Sequence, residues 1–201
     1  MIIGVTGGVG SGKSTAISHV SELYDALVLR TDDIAKELMT DPKLLEQLEA
    51  AMGRSIRDRD GLLDKKLYGD LIYSSERMAA ISDSIVHPAV WDYVRERAGE
   101  ESSKGRLVLV ESALPGKELS DICDHILVLT AGDRARLSRL AKERGYSSER
   151  YEDIKERQLS QEAFEALGDV IIRNDGTIEE LKKRTEEAID DLCKSCQRKQ
   201  R

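Results

Sequence analysis

The chain has 201 residues, of which 40% are hydrophobic and 34% charged, and this balance indicates a folded globular protein. Its formal net charge of −7 argues against general nucleic-acid binding, which usually requires a basic face. No apolar stretch reaches the length of a membrane span, and the first strand leaves no room for a signal peptide, so we expect a cytoplasmic protein without a membrane partner.

Three cysteines do not suggest a disulfide framework. Cys193 and Cys196 form a C-x-x-C pair, but no second Cys/His pair accompanies it, so we expect neither a metal nor a redox site there. The basic segment of residues 194–201 is interpreted as a solvated terminus.

The first fifteen residues carry the most specific motif of the chain. Ile2, Ile3 and Val5 predict a short buried strand, the sequence GGVGSGKS follows at residues 7–14, and a helix-compatible stretch begins at Thr15. This strand, glycine-rich loop and helix match the P-loop pattern G-x-x-x-x-G-K-[ST].

The residue types of this loop suit a phosphate site. Glycines let the backbone aim successive N–H groups at one anion, Lys13 reaches the β- and γ-phosphates, and the Ser14 hydroxyl can bind Mg²⁺. The alternative is an ordinary glycine-rich turn, but strand, loop and helix agree on the binding of a nucleoside triphosphate. The residues expected to contact the nucleotide are Gly8, Val9, Gly10, Ser11, Gly12, Lys13, Ser14 and Thr15.

A second strand is predicted over residues 26–29, followed by a helix from Ile34 with Thr31 or Asp32 as its cap. Ligands of parallel sheets sit at the carboxyl ends of the strands. Asp32 therefore either presents a carboxylate beside the phosphate site or serves only as a helix cap.

Residues 41–100 read as helices and short turns without a convincing strand. Asp41-Pro42 is a helix start with proline at the first position. Because the residue before a proline is pushed out of the helical region, we expect a break before Pro88 and a new helix from there. So long a helical stretch between two strands predicts an inserted subdomain that holds a second substrate.

Three more buried strands are predicted over residues 106–111, 125–129 and 170–174. Helices alternate with them, including one over residues 133–144 that Gly145 ends, and a capping box at Thr177 opens the last helix.

This alternation predicts an α/β P-loop NTPase fold: a five-stranded parallel sheet flanked by helices. The nucleotide-binding core is assigned to residues 1–40 and 101–201, with a helical lid at about 132–160, and the inserted helical substrate-binding subdomain to residues 41–100.

Six arginines lie between residues 134 and 157. On a helical wheel Leu137, Leu140 and Ala141 form an apolar stripe with Arg144 on its centre line, so Arg144 is predicted to face inward and contact a phosphate. Arg136 and Arg139 are weaker candidates, and Arg139 is expected near the exposed face.

A guanine-binding N-K-x-D motif is missing, which argues against a GTPase, and the chain is short for a transporter ATPase. The inserted helical segment and the arginine-rich helix after the fourth strand favour a small-molecule kinase with a closing lid. The alternatives are a kinase of another small acceptor, such as a nucleoside or nucleotide, and a nucleotide-binding protein without transfer activity.

Over nearly its whole length the sequence resembles the dephospho-coenzyme A kinase family. The resemblance is carried by residues 4–15 (GVTGGVGSGKST), 31–35 (TDDIA), 61–67 (GLLDKKL), 85–90 (IVHPAV), 136–147 (RLSRLAKERGYS) and 169–176 (DVIIRNDG).

The resemblance implies transfer of the ATP γ-phosphoryl group to the ribose 3′-hydroxyl of dephospho-coenzyme A. Asp32 matches the family's catalytic base, Lys65 and His87 match positions of its substrate domain, and Asn174 lies near where the family holds adenine. Glu111, at the end of the third strand, is the candidate acid beside Mg²⁺. We expect a monomer whose partner is a small molecule.

Overall fold

The computed structural model describes the backbone of residues 1–199 and the side chains through Ser195. The chain divides into two compact units, one formed by Met1–Leu29 with Ala98–Arg201 and the other by Arg30–Arg97. The second unit begins at Arg30, so it includes a helix that the sequence analysis assigned to the nucleotide-binding core.

The first unit is built on a parallel sheet of five strands in the order β2-β3-β1-β4-β5, which confirms the predicted fold class. Its strands are β1 (Ile2–Thr6), β2 (Leu27–Arg30), β3 (Val108–Glu111), β4 (His125–Thr130) and β5 (Val170–Arg173). β1 lies at the centre, with Val5 in register with Glu111 of β3 and with Leu127 of β4. The loop after β1 therefore leaves the middle of the carboxyl edge of the sheet.

Helices flank this sheet. Those of the first unit are α1 (Lys13–Tyr24), α6 (Lys117–Ile122), α7 (Asp133–Arg144), α8 (Ser148–Glu156), α9 (Gln161–Glu165) and α10 (Ile178–Lys199). α1 packs against α10, and Ile17 and Ile189 are buried with Ile3 and Leu127 in one apolar core. Thr177 and Glu180 form the predicted capping box, each side chain accepting a backbone N–H of the other residue.

The second unit is helical. It comprises α2 (Thr31–Leu38), α3 (Pro42–Met52), α4 (Lys65–Ser74) and most of α5 (Glu76–Ser103), which continues into the first unit. Its core is formed by Met39, Leu44, Leu45, Leu48, Met52 and Ile56. α3 begins as predicted, with Pro42 as its first residue and the Asp41 side chain accepting the Lys43 N–H at 2.9 Å.

The predicted break before Pro88 is wrong, because α5 runs through this residue without interruption. A proline inside a helix costs about 3 kcal/mol, since it removes one hydrogen bond and crowds the preceding turn. Ile85 packs on the core of the second unit, and Val90, Trp91 and Val94 are all buried. Burial of each such side chain contributes about 1.5–3 kcal/mol, which together exceeds the cost of Pro88.

The predicted cap of α2 is also wrong. Thr31 and Asp32 are the first two residues of the helix, and Arg30 occupies the N-cap with extended backbone and without a capping side-chain bond. β2 therefore passes directly into α2, and Asp32 stands in its first turn, where a carboxylate is favoured by the helix dipole.

In the described part of the chain, no helix combines the length and apolar character that a membrane span requires. Cys193 is half-buried on α10. The side chain of Cys196, the other half of the C-x-x-C pair, and the end of the basic segment lie outside the described residues.

Candidate active site around the P-loop

The P-loop connects β1 to α1 and requires glycine at specific positions. Gly12, the N-cap of α1, has a φ of 102°, in the left-handed region that favours glycine. A Cβ on Gly12 would lie 2.3 Å from Nδ2 of Asn174, and one on Gly8 would lie 2.5 Å from a guanidinium nitrogen of Arg136. Both glycines therefore let other groups of the first unit approach the loop backbone closely.

Donors from four side chains bind the carbonyl oxygens of the loop. The donor–acceptor pairs are Lys13 Nζ with Gly7 O (2.8 Å) and Gly8 O (3.2 Å), Arg136 Nε with Val9 O (2.8 Å), Arg139 Nη1 with Gly10 O (3.4 Å) and Asn174 Nδ2 with Ser11 O (2.9 Å). In a planar trans peptide the following N–H points away from the carbonyl. The N–H groups of Gly10 and Gly12 are thus turned away from these side chains, in the manner of a backbone anion cradle.

Arg136 is the most deeply buried cation beside this loop, with 7% of its surface exposed. Its guanidinium lies 5.3 Å from the ring centroid of Tyr151, and its Nη1 lies 3.6 Å from the Asp133 carboxylate. The same carboxylate accepts the Tyr151 hydroxyl at 2.7 Å. A buried guanidinium held by an aromatic face, a carboxylate and a carbonyl has a single defined position.

Asp133 also joins α7 to α8, because it accepts a hydrogen bond from Lys155 at 2.6 Å. The hydrogen bond from Lys155, followed by that from Tyr151, holds the pKa of the Asp133 carboxyl below its usual range. Asp133 therefore stays ionised at neutral pH and keeps its negative charge beside Arg136.

Arg139 and Asn174 form a second support of the loop. The Nη2 of Arg139 donates to the main-chain oxygen of Asn174 at 2.8 Å and to its Oδ1 at 3.2 Å. Since Oδ1 accepts from Arg139 and Nδ2 donates to Ser11, the orientation of the buried Asn174 amide is fixed. Asn174 thus holds the loop backbone, in addition to the role near adenine that the resemblance implies.

The predicted inner face of α7 is right for Leu140, which is buried, and for Leu137, which is half-buried, but wrong for its last turn. Arg144 is exposed near its C-terminal end, and Ala141 of the predicted apolar stripe is exposed as well, whereas Arg136 is buried and Arg139 half-buried. The helical wheel centred the inner face on Arg144 and left Arg136 and Arg139 as weaker candidates. In the structure the loop carbonyls face this helix, and they bind arginine better than they would bind an apolar side chain.

The remaining predicted residues of the first unit lie in α1 and at the end of the neighbouring strand β3. Ser14 and Thr15 stand in the first turn of α1, Ser14 exposed and Thr15 half-buried. Glu111 is half-buried at the carboxyl end of β3. Groups of three or more His, Cys, Asp or Glu side chains that could hold a metal ion do not occur among the described residues.

Three predicted residues belong to the second unit. Asp32 is exposed in the first turn of α2, and Lys65 is the exposed first residue of α4. His87 is exposed on α5, where its Nε2 accepts the indole N–H of the buried Trp91 at 2.9 Å. This bond requires the neutral His87 ring to carry its proton on Nδ1, which leaves Nδ1 as a hydrogen-bond donor.

Sequence reasoning missed several residues that hold the loop or the helix α7 beside it. Gln158, in the turn after α8, accepts the Val9 N–H through Oε1 at 2.8 Å, and Asp175 accepts the N–H of Gly132 just before α7. Asp133 and Tyr151 were missed as well. Of these residues only Asp175 lies in a segment that carries the family resemblance. Gln158, Asp133 and Tyr151 act through contacts between segments that are separate in sequence, so no local pattern could reveal them.

Known proteins are similar to this chain in sequence. The family model for dephospho-CoA kinase matches residues 1–180. A dephospho-CoA kinase of Geobacter sulfurreducens is 33% identical over 189 residues, covering 92% of this chain and 95% of the relative.

Two solved structures have the same fold. A protein from Thermus thermophilus superposes with a TM-score of 0.76 at 23% identity, covering 96% of this chain and 97% of the other. A dephospho-CoA kinase from Campylobacter jejuni superposes with a TM-score of 0.72 at 19% identity, covering 96% and 98% of the two chains.

Proposed function

The chain belongs to the dephospho-CoA kinase family, and on that premise we propose that it transfers the ATP γ-phosphoryl group to the ribose 3′-hydroxyl of dephospho-coenzyme A, with Asp32 as the base. This reaction is the last step of coenzyme A biosynthesis. The observation that carries the proposal is the family match over residues 1–180, which includes the P-loop, Asp32 and His87.

In the proposed mechanism the P-loop holds the triphosphate. The N–H groups of Gly10 and Gly12 and the positive end of the α1 dipole bind phosphate oxygens. Lys13 places its ammonium at the β- and γ-phosphates, where negative charge shifts during transfer. The Asp32 carboxylate accepts the proton of the attacking 3′-hydroxyl, which makes that oxygen a better nucleophile.

We propose that Lys65 and His87 bind the acceptor in the second unit. Lys65 offers a flexible ammonium at the start of α4, and the Nδ1–H of His87 offers a neutral donor. Both groups suit the phosphate oxygens of an anionic acceptor such as dephospho-coenzyme A. The predictions of a monomer and of a cytoplasmic location stay predictions.

The residues present fit a magnesium ion, which we propose is held by Ser14 and Glu111 together with phosphate oxygens. Hydroxyl and carboxylate oxygens are the ligands that Mg²⁺ prefers, and this ion usually takes only one or two protein ligands. Glu111 lies in register with Val5, two residues before the P-loop begins at Gly7. When bound, the ion neutralises negative charge on the transferring phosphoryl group.

The acceptor is tested by an ADP-release assay with Mg²⁺-ATP, supplied either with dephospho-coenzyme A or with a panel of nucleosides and nucleotides. We expect release only with dephospho-coenzyme A, and a product whose mass is that of coenzyme A. Release with a nucleoside alone would assign the enzyme to another acceptor, and ATP binding without any release would support the non-catalytic alternative.

Replacing Glu111 by Gln is expected to raise the Mg²⁺ concentration for half-maximal activity by about tenfold, because the oxygen stays in place but its charge is lost. The measurement is a Mg²⁺ titration of the ADP-release rate. Asp121→Asn on α6 serves as the control, since it removes the same charge from an exposed position. An unchanged titration in Glu111→Gln would remove Glu111 from the metal site.

Arg136 is proposed as the lid arginine with the largest effect on the triphosphate site. Arg136→Met should lower kcat/KM for ATP by about 10²-fold, the cost of removing one preorganised charge, whereas Arg144→Met should lower it less than tenfold because Arg144 is exposed. Thermal melts of both variants separate lost activity from lost folding. The prediction that Arg144 contacts a phosphate requires the opposite order.

A further inference from the structure

Val9, the third residue of the P-loop motif, is bound at both of its backbone polar groups by the segment that contains α7, α8 and α9. Its N–H donates to Oε1 of Gln158 at 2.8 Å, and its carbonyl oxygen accepts Nε of Arg136 at 2.8 Å. Arg136 belongs to a segment that carries the family resemblance and was a candidate from the sequence, whereas Gln158 belongs to no such segment. The function of its contact therefore has to be derived from the geometry.

The Gln158 contact controls one particular peptide unit, the one that joins Gly8 to Val9. The carbonyl end of this unit accepts Lys13 Nζ at 3.2 Å and the Ser11 N–H at 3.2 Å. Its N–H end is bound by Gln158. A planar peptide held at both ends cannot rotate about the chain without breaking bonds on both sides. Gln158 thus keeps the Gly8 carbonyl directed at Lys13.

The Gln158 bond is accompanied by other residues of the same segment that lie beside the P-loop. Leu159, Gln161 and Phe164 line a small cavity together with Gly8 and Ser11 of the loop and with Arg136. Phe164 is 2% exposed and anchors α9 in the core of the first unit. The position of Gln158 is therefore set by the burial of Phe164 on its C-terminal side and by the hydrogen bond from its own N–H to the Lys155 carbonyl oxygen at 3.1 Å. Its side chain reaches Val9 from this held backbone.

We propose that Gln158 is a positioning residue for the phosphate cradle and for Lys13. Its amide oxygen fixes the peptide between Gly8 and Val9, so that the lysine ammonium and the following N–H groups are presented in one geometry. This inference rests on the proposed use of the P-loop for ATP. Its first consequence is that the Val9 amide is protected from hydrogen exchange, and that protection does not depend on any activity.

The test compares two variants of nearly equal size. Gln158→Met removes the acceptor oxygen, and Gln158→Glu keeps an oxygen acceptor at the same distance from the backbone. Gln47→Met, an exposed glutamine on α3 of the second unit, is the matched control. Hydrogen exchange of the Val9 amide by NMR, the ATP dissociation constant by calorimetry, and KM and kcat are measured for each protein.

We expect Val9 to exchange at least fivefold faster in Gln158→Met than in the wild type. ATP should bind about three- to tenfold more weakly, the usual net effect of losing one neutral hydrogen bond. Gln158→Glu should restore the slow exchange of Val9, and Gln47→Met should match the wild type in every measurement. Because the exchange readout needs no substrate, it supports or refutes the contact even if the acceptor is not dephospho-coenzyme A.

Three results would overturn the proposal. Wild-type Val9 exchange in Gln158→Met would show that the bond does not hold the loop. Faster exchange with unchanged ATP affinity and KM would show that the bond does not position the cradle. Tighter ATP binding in Gln158→Met would show that Gln158 competes with a phosphate oxygen for the Val9 N–H.

Discussion

Asp32→Asn is expected to lower kcat by about 10²- to 10⁴-fold while the affinity for ATP stays within about twofold of the wild type. The amide has the size of the carboxylate but cannot accept the proton of the attacking hydroxyl. Because Asp32 is exposed in the first turn of α2, the substitution leaves the packing of the second unit unchanged. Single-turnover phosphorylation of dephospho-coenzyme A and calorimetric ATP binding measure the two quantities separately.

The neighbouring residue provides a matched control for this variant. Asp33 is also exposed in the first turn of α2, and its carboxylate accepts Lys36 at 2.7 Å. This hydrogen bond lowers the pKa of Asp33. Asp33→Asn removes the same charge from the same helix end, so it should keep nearly full activity. Equal losses in both variants would mean that charge at the start of α2, rather than a base at Asp32, limits the reaction.

The fold could be predicted from the sequence because each of its elements carries a local signal. The apolar runs that form β1, β3, β4 and β5 are long enough to be recognised as buried strands, and turn or cap residues such as Gly145 and Thr177 mark the helix ends. Pro88 shows the limit of such signals. Its local preference predicts a break, but burial of apolar residues on both sides of it keeps α5 continuous.

The candidate site could be predicted only where consecutive residues of one motif form the binding geometry by themselves. The P-loop supplies its own cradle from consecutive residues, so its spacing alone indicates a phosphate site. The orientation of α7 could not be derived in the same way. An inward-facing arginine is stable there because Val9 and Gly10 present carbonyl oxygens to it, and those partners lie more than a hundred positions away in the sequence. Gln158 was missed for the same reason.

Lys13→Met is expected to reduce kcat/KM by about 10²- to 10³-fold, as the loss of one preorganised charge at the transferring phosphoryl group would. Lys13→Arg should not restore the rate, because a planar guanidinium cannot replace a compact ammonium inside a tight backbone loop. Lys142→Met, on an exposed position of α7, should behave as the wild type. Steady-state rates with varied ATP test all three expectations.

Lys13 also stabilises the loop, so the experiment has to distinguish a loss of catalysis from a loss of stability. Its ammonium donates to the carbonyl oxygens of Gly7 and Gly8, and each such bond contributes about 1–2 kcal/mol to the free energy of unfolding. Lys13→Met should therefore melt several degrees below the wild type but remain folded at 25 °C, where its rate is measured. A folded Lys13→Met protein with more than one tenth of the wild-type kcat/KM would show that Lys13 serves the loop and not the phosphoryl transfer.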